Sequence, residues 1–234
     1  MKKAQTHRFI FYVVGLLILA LGLTLNTKAG LGVSPIISVS FSISEISGYN
    51  FGNMTLVLYC VFVVIQLLVH LHGGLKSSHA RASLKLVLLL DFLQIPLSIV
   101  FTRFLNLFTS AIPDLSSLGL APAAELSIRF TILICAIICT GIGAAMSLNM
   151  RIIPNPGDGI VQTIADAIHK NVGLTKNLFD LSNIAITISL SLIFTGHIVG
   201  VGVGTILAMI GVGRTIAVFN HFTYSKMHTL AVAK

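Results

Sequence analysis

Few residues in this chain could do chemistry, and most of them lie at the ends of apolar runs. Asp91 is an exception, sitting inside the run LVLLLDFLQIP. A carboxylate at that depth is costly unless paired or hydrated, so it is a functional candidate by default. Arg214, in IGVGRTIAVF, falls at a similar depth in the last run, and the spacing predicts an ion pair between the two. Gln94 and Pro96 follow Asp91 on the same run. Pro96 removes an amide donor and frees the carbonyl of Phe92, which kinks the helix beside a polar Gln94. The stretch Pro156-Gly157-Asp158-Gly159 is the best loop candidate. It reads as a tight turn at Pro156-Gly157, with Asp158 capping a helix that starts near Gly159. An uncapped helix start would instead offer its amides to an anion.

These residues belong to a phrase the chain states twice. GLTLNTK at 22–28 and AMSLNMR at 145–151 each close an apolar run before a loop with Gly and Pro. Thr24, Leu25, Asn26 and Lys28 match Ser147, Leu148, Asn149 and Arg151, all 123 apart. One step of drift sets Ser34-Pro35 against Asp158-Gly159. Ser34 carries no charge where Asp158 does, so the first copy, with Lys28 nearby, is the better anion cradle. The candidate substrate-binding set is Asn26, Lys28, Ser34, Pro35, Gln94, Asn149, Arg151, Asp158 and Gly159.

The elements that must hold these residues are membrane spans. Apolar residues make up 55% of the 234 and charged residues 9%, with a mean hydropathy of +0.96. Soluble domains carry about 25% charged residues. Six apolar runs, near 9–25, 54–71, 84–108, 126–148, 178–195 and 198–222, suit helices that cross a ~30 Å core. The fold expected is an all-α polytopic bundle in one integral domain. The first run follows Lys2, Lys3 and Arg8 but has no small-residue cleavage site after it, so it is expected to be retained.

The net charge of +8 does not point to nucleic acid, because the charges sit in short loops between runs. With the N-terminus inside, the inner segments hold Lys2, Lys3, Arg8, Lys76, Arg81, Lys85, Arg151, Lys170, Lys176, Lys226 and Lys234, and the outer loops only Lys28. Both termini are expected in the cytoplasm of a cell (inner) membrane. Two homologous units of three spans then lie in opposite orientations. This is an inverted repeat, with residues 1–115 as one unit and 116–234 as the other. Segments 33–47 and 157–171 are too short to span, and are expected as interfacial or re-entrant helices.

Gly196, Gly200, Gly204 and Ala208 recur every four residues, predicting a smooth helix face for close packing. Cys60, Cys135 and Cys139 lie in apolar runs and read as packing residues. The eight histidines form no HExxH and no carboxylate-rich cluster, and no nucleophile–base set is recoverable. No enzymatic activity, metal or cofactor is expected. The partners expected are the bilayer and a small-molecule solute, with a homo-oligomer left open.

The order and spacing of KAGLGVSP, LQIPLSIVF, PGDG and GVGVGT resemble the YczE/YyaS/YitT family of bacterial integral membrane proteins, closest to its YczE-like branch. The resemblance covers nearly the whole chain. It implies a bacterial polytopic membrane protein with duplicated halves, and it implies no particular chemistry. The function expected is a small permease for a small or amphiphilic solute, with a non-transporting membrane regulator or partner subunit as the alternative.

Overall fold

The computed structural model describes residues 2–76, 81–118 and 121–231. Residues 77–80, between Lys76 and Arg81, lie outside them, and so does Lys234. The described chain is helical: α1 (Lys2–Ala29), α2 (Pro35–Ser47), α3 (Phe51–Lys76), α4 (Arg81–Ala111), a 3-10 turn (Leu115–Leu118), α5 (Pro122–Met150), α6 (Pro156–Ala167), α7 (Val172–Thr195) and α8 (Val203–Ala231). Six of these, α1, α3, α4, α5, α7 and α8, are long and apolar enough to cross a bilayer. Six crossings return the chain to the side on which it began. That side is called the terminal side below, and the opposite side the far side.

Helix boundaries follow local chemistry. Proline stands at the first helical position of α2, α5 and α6, where its missing amide costs nothing. Asn155 and Asn171 cap α6 and α7 through their side-chain oxygens. Gly48 and Gly196 end α2 and α7 in the left-handed conformation.

The middle of the bundle is the pair α1 and α5. In their most apolar stretches 50% of residues are buried, against 22–28% in the other four spans. The two backbones meet through glycine. A Cβ at Gly15 would lie 2.8 Å from the Ser147 amide, and one at Gly22 would lie 2.5 Å from that of Thr140. One at Gly143 would fall on the Leu19 backbone. Contact positions fall along α5 as they rise along α1, so the two helices run antiparallel. With no hydrophobic drive between helices in lipid, such close backbone approach is what holds them.

The short helices α2 and α6 lie inside the bundle, each packed against both α3 and α7. The serines of α2 explain the first case. Ser38 Oγ meets Thr187 Oγ1 at 2.8 Å, Ser42 meets Ser191 at 2.9 Å, and Ser40 meets Thr55 at 3.2 Å. A surface-lying helix would point these hydroxyls at water instead.

Helix α6 begins at Pro156, so Pro156-Gly157 is its first turn and not a bend before it. The glycine face does not form either. Gly196 and Gly200 lie in the loop before α8 with φ of 71° and 80°, and Gly204 is in that helix's first turn. The loop needs left-handed backbone, so it keeps glycine for that reason.

Helix boundaries of the two halves coincide at a shift of 121 residues, not 123. Ala29 and Met150 end α1 and α5; Pro35 and Pro156 begin α2 and α6; Phe51 and Val172 begin α3 and α7. Left-handed residues repeat at the same shift, Gly30 with Arg151 and Gly48 with His169. So do contacts. Arg8 Nε donates to the Met150 carbonyl at 2.7 Å, and Arg129 donates to the Ala29 carbonyl at 2.9 Å. Residue 129 is 121 beyond 8, and 150 is 121 beyond 29. Each arginine thus caps the first long helix of the other half.

Candidate functional site: a cavity between the short helices

A cavity of about 510 Å³ opens among the helices. Its lining runs from exposed Gln162 and Asp166, at the terminal side, to buried Ser34, Tyr59 and Asn155. Ser34 and Asn155 are the residues just before α2 and α6, so both short helices aim their N-termini at the inner end. The side walls are apolar, with Leu19 and Leu23 from α1, Ala144 from α5, and Val212 and Ile216 from α8.

The polar groups fall into pairs. Gln66 of α3 and Gln94 of α4 exchange amide hydrogen bonds at 3.2 and 3.0 Å, and both are 1% exposed. Gly159 lets α6 approach that pair, since a Cβ there would lie 2.6 Å from Gln66 Oε1. His70 Nδ1 meets Asp91 Oδ2 at 2.6 Å. Lys176 Nζ meets Asp180 Oδ2 at 2.5 Å, on the first turns of α7. Asp158, in the first turn of α6, faces the cavity without a hydrogen-bond or ion-pair partner among the described residues. Burial pushes its carboxyl up to about 6, against the opposing pull of Lys176.

The expected site divides. Ser34, Gln94, Asp158 and Gly159 line the cavity. Pro35 starts α2 beside it. Asn26 is buried, and its Oδ1 accepts from the Ser34 amide. That bond occupies the amide a ligand anion would have used. The Ser34 amide is therefore already taken by the chain itself. Lys28 does not serve it, because its amine pairs with Asp114 at 2.8 Å. Asn149 donates to Asn220 of α8 at 2.8 Å, away from the cavity, and Arg151 ends α5 in the left-handed region. The cap of α6 is Asn155 and not Asp158, since Asn155 Oδ1 accepts from Gly157 N at 3.1 Å. Nor does Asp91 pair with Arg214. Its partner is His70, one helix away on α3, while Arg214 is exposed on α8.

Several residues carried weak signals or none. His70 reads as one more histidine near a membrane boundary. Gln66 and Tyr59 are single polar groups in apolar runs. Lys176 and Asp180 stand four apart, a legible helical pair. Arg8 looks like a topology charge until its 121-residue counterpart, Arg129, is seen in the same contact.

Comparison with known proteins adds kinship without chemistry. The model of a family of unknown function, DUF6198, matches residues 6–221. The chain belongs to that family. It is also similar to the uncharacterized protein YyaS of Bacillus subtilis (strain 168), 24% identical over 215 residues, covering 91% of this chain and 92% of that protein. No solved structure matches the chain. Membership in this broad group of membrane proteins agrees with the sequence resemblance. Among the described residues no group of three or more His, Cys, Asp or Glu side chains is placed to hold a metal ion.

Proposed function

We propose that this protein is a small inverted-repeat permease for a small or amphiphilic solute, and that it belongs to the YczE-like branch of its relatives. Residues 1–115 and 116–234 are its two units, set in opposite orientations in a bacterial inner membrane with both termini cytoplasmic. The observation that carries the reading is the cavity's asymmetry. It opens toward the terminal side, where Gln162 and Asp166 are exposed. On the far side two loops are joined by backbone hydrogen bonds, which supports a closed end. Val33 N donates to the Gly200 carbonyl at 2.8 Å, and Gly204 N donates to the Leu31 carbonyl at 2.7 Å. A site reached from one side and sealed from the other is one of the two states alternating access requires. The 121-residue correspondence of helix ends and arginine contacts supports paired units, and the antiparallel α1–α5 packing supports their inversion. The burial of α2 and α6 supports re-entrant helices, since irregular backbone at membrane depth must be covered by protein or line a wet cavity.

Cysteine access tests this. Cys60, Cys135 and Cys139 are first replaced by Ser, and then Gln162→Cys or Val33→Cys is introduced. A membrane-impermeant thiol reagent is applied from either side of sealed vesicles. Gln162→Cys should label from the cytoplasmic side. Val33→Cys, 2% exposed in the sealed state, should label from the outside in a fraction of molecules. A Val33→Cys that never labels from outside would leave the non-transporting regulator as the better reading.

A further inference from the structure

Every charge on the cavity wall except one is accounted for. Lys176 is held by Asp180, and His70 by Asp91. Asp166, at the exposed mouth, accepts from the Gln162 amide at 2.9 Å. Among the described residues, Asp158 alone of these has no hydrogen-bond or ion-pair partner. It is not needed to finish α6 either. The first amides of that helix are satisfied by Asn155: Gly157 N bonds its Oδ1, while Asp158 N and Gly159 N bond its carbonyl at 2.9 and 2.8 Å. The carboxylate is therefore left facing the cavity with no direct bond to the fold, in the field of a Lys176 that Asp180 already holds.

A second group points the same way. Asn155 lines the cavity at 3% exposure, and its amide nitrogen Nδ2, near the Tyr59 hydroxyl, makes no hydrogen bond of good geometry among the described residues. A buried donor left unmade is expensive, and a bound molecule with an acceptor atom relieves it. The glutamines of the wall are paired with each other and His70 with Asp91, and the side walls are apolar, from Leu19, Leu23, Ala144, Val212 and Ile216.

We propose that the cavity takes a protonated amine with an apolar body, its ammonium on the Asp158 carboxylate and an acceptor atom on Asn155 Nδ2. This rests on the permease reading for the cavity's role, but its chemistry can be tested alone. A charge-assisted bond to a desolvated carboxylate gives the cation its advantage. An anion of the same shape meets Asp158 as a like charge and is rejected. An isosteric alcohol can bond the same two groups but without the charge assistance, and so binds more weakly.

The test is thermal unfolding of the full chain in phosphatidylcholine nanodiscs, titrated with hexylammonium, hexanoate and hexan-1-ol. Hexylammonium should raise the midpoint saturably, with an apparent affinity about tenfold or more above the other two. Asp158→Asn should abolish that preference, and Asp158→Glu should retain it. The proposal is overturned by equal response to all three probes, by no saturable response to the amine, or by a preference that survives in Asp158→Asn. If Asp158→Asn does not fold, the three-probe comparison on the wild type and on Asp166→Asn still decides, the latter expected to keep the preference. Failure here leaves the cysteine-access result standing, and a chain that binds amine but never opens outward would lose the permease reading alone.

Discussion

At the scale of the residue, Asp158 shows what sequence carries and what it omits. A carboxylate after Pro-Gly is visible as a candidate, and so are Gln94 and Gly159. Which neighbour they meet is not, because lateral direction depends on packing between distant helices. Asp91 illustrates this: two candidates at matching depth, Asp91 and Arg214, belong to helices that turn different faces inward, and the carboxylate meets His70 instead. The Asp158 geometry has a consequence in pH. Its carboxyl titrates near 6 in the folded chain, above the ~3.9 of a free aspartate. The folded state therefore holds the proton more tightly than the unfolded state. Stability from this group is full below about pH 4 and is lost as pH rises through about 6. Relative to Asp158→Asn, the wild type should lose on the order of 2 kcal/mol across that window. Melting curves at about pH 4 and pH 7.5 would show it, and a pH-independent gap between the two proteins would remove the buried-charge account. Amine binding should run the opposite way and weaken below about pH 6, where the carboxyl accepts its proton.

At the scale of the element, the six spans were legible because a bilayer fixes their length and apolarity. The helices are longer than those runs, since α1 and α5 continue past the apolar stretch into polar flanks. The paired phrases point to matching helix ends, but not to their register. Matching Asn26 to Asn149 follows the similarity of short polar words, whereas the helix ends fix a shift of 121 and pair Asn26 with Ser147. Backbone hydrogen bonding sets where a helix ends, and side-chain identity there drifts freely. The antiparallel α1–α5 contact makes a sharper claim. Gly143→Val should force the central helices apart at Leu19 and destabilise by roughly 1–3 kcal/mol, as overpacking does. Gly213→Ala, with no heavy atom within 4 Å of the new Cβ, should cost nothing and gain up to about 1 kcal/mol of helix propensity. Equal melting midpoints for the two variants would mean that the glycine contact does not set the α1–α5 spacing.

At the scale of the whole molecule, the two halves share a helix plan but not a state. The far-side loops at 30–34 and 200–204 are joined by backbone hydrogen bonds, while the terminal side leaves a path to Asp158. The sequence already makes the two loops unequal, Ser34 against Asp158, but not which side is joined and which is open, because that depends on contacts between loops far apart in the chain. The seal depends on the absence of side chains. A Cβ at Gly202 would lie 2.5 Å from the Leu31 carbonyl oxygen, and one at Gly32 would lie 2.5 Å from Gly202 N. Gly202→Val cannot fit this closed arrangement, so it should push the population toward the opposite lean. Two reporters then move in opposite directions. Val33→Cys should gain labelling from the far side several-fold, while Gln162→Cys loses labelling from the terminal side. A merely loosened bundle would raise both. Reciprocity is therefore the test, because only halves that move as units can close one mouth by opening the other.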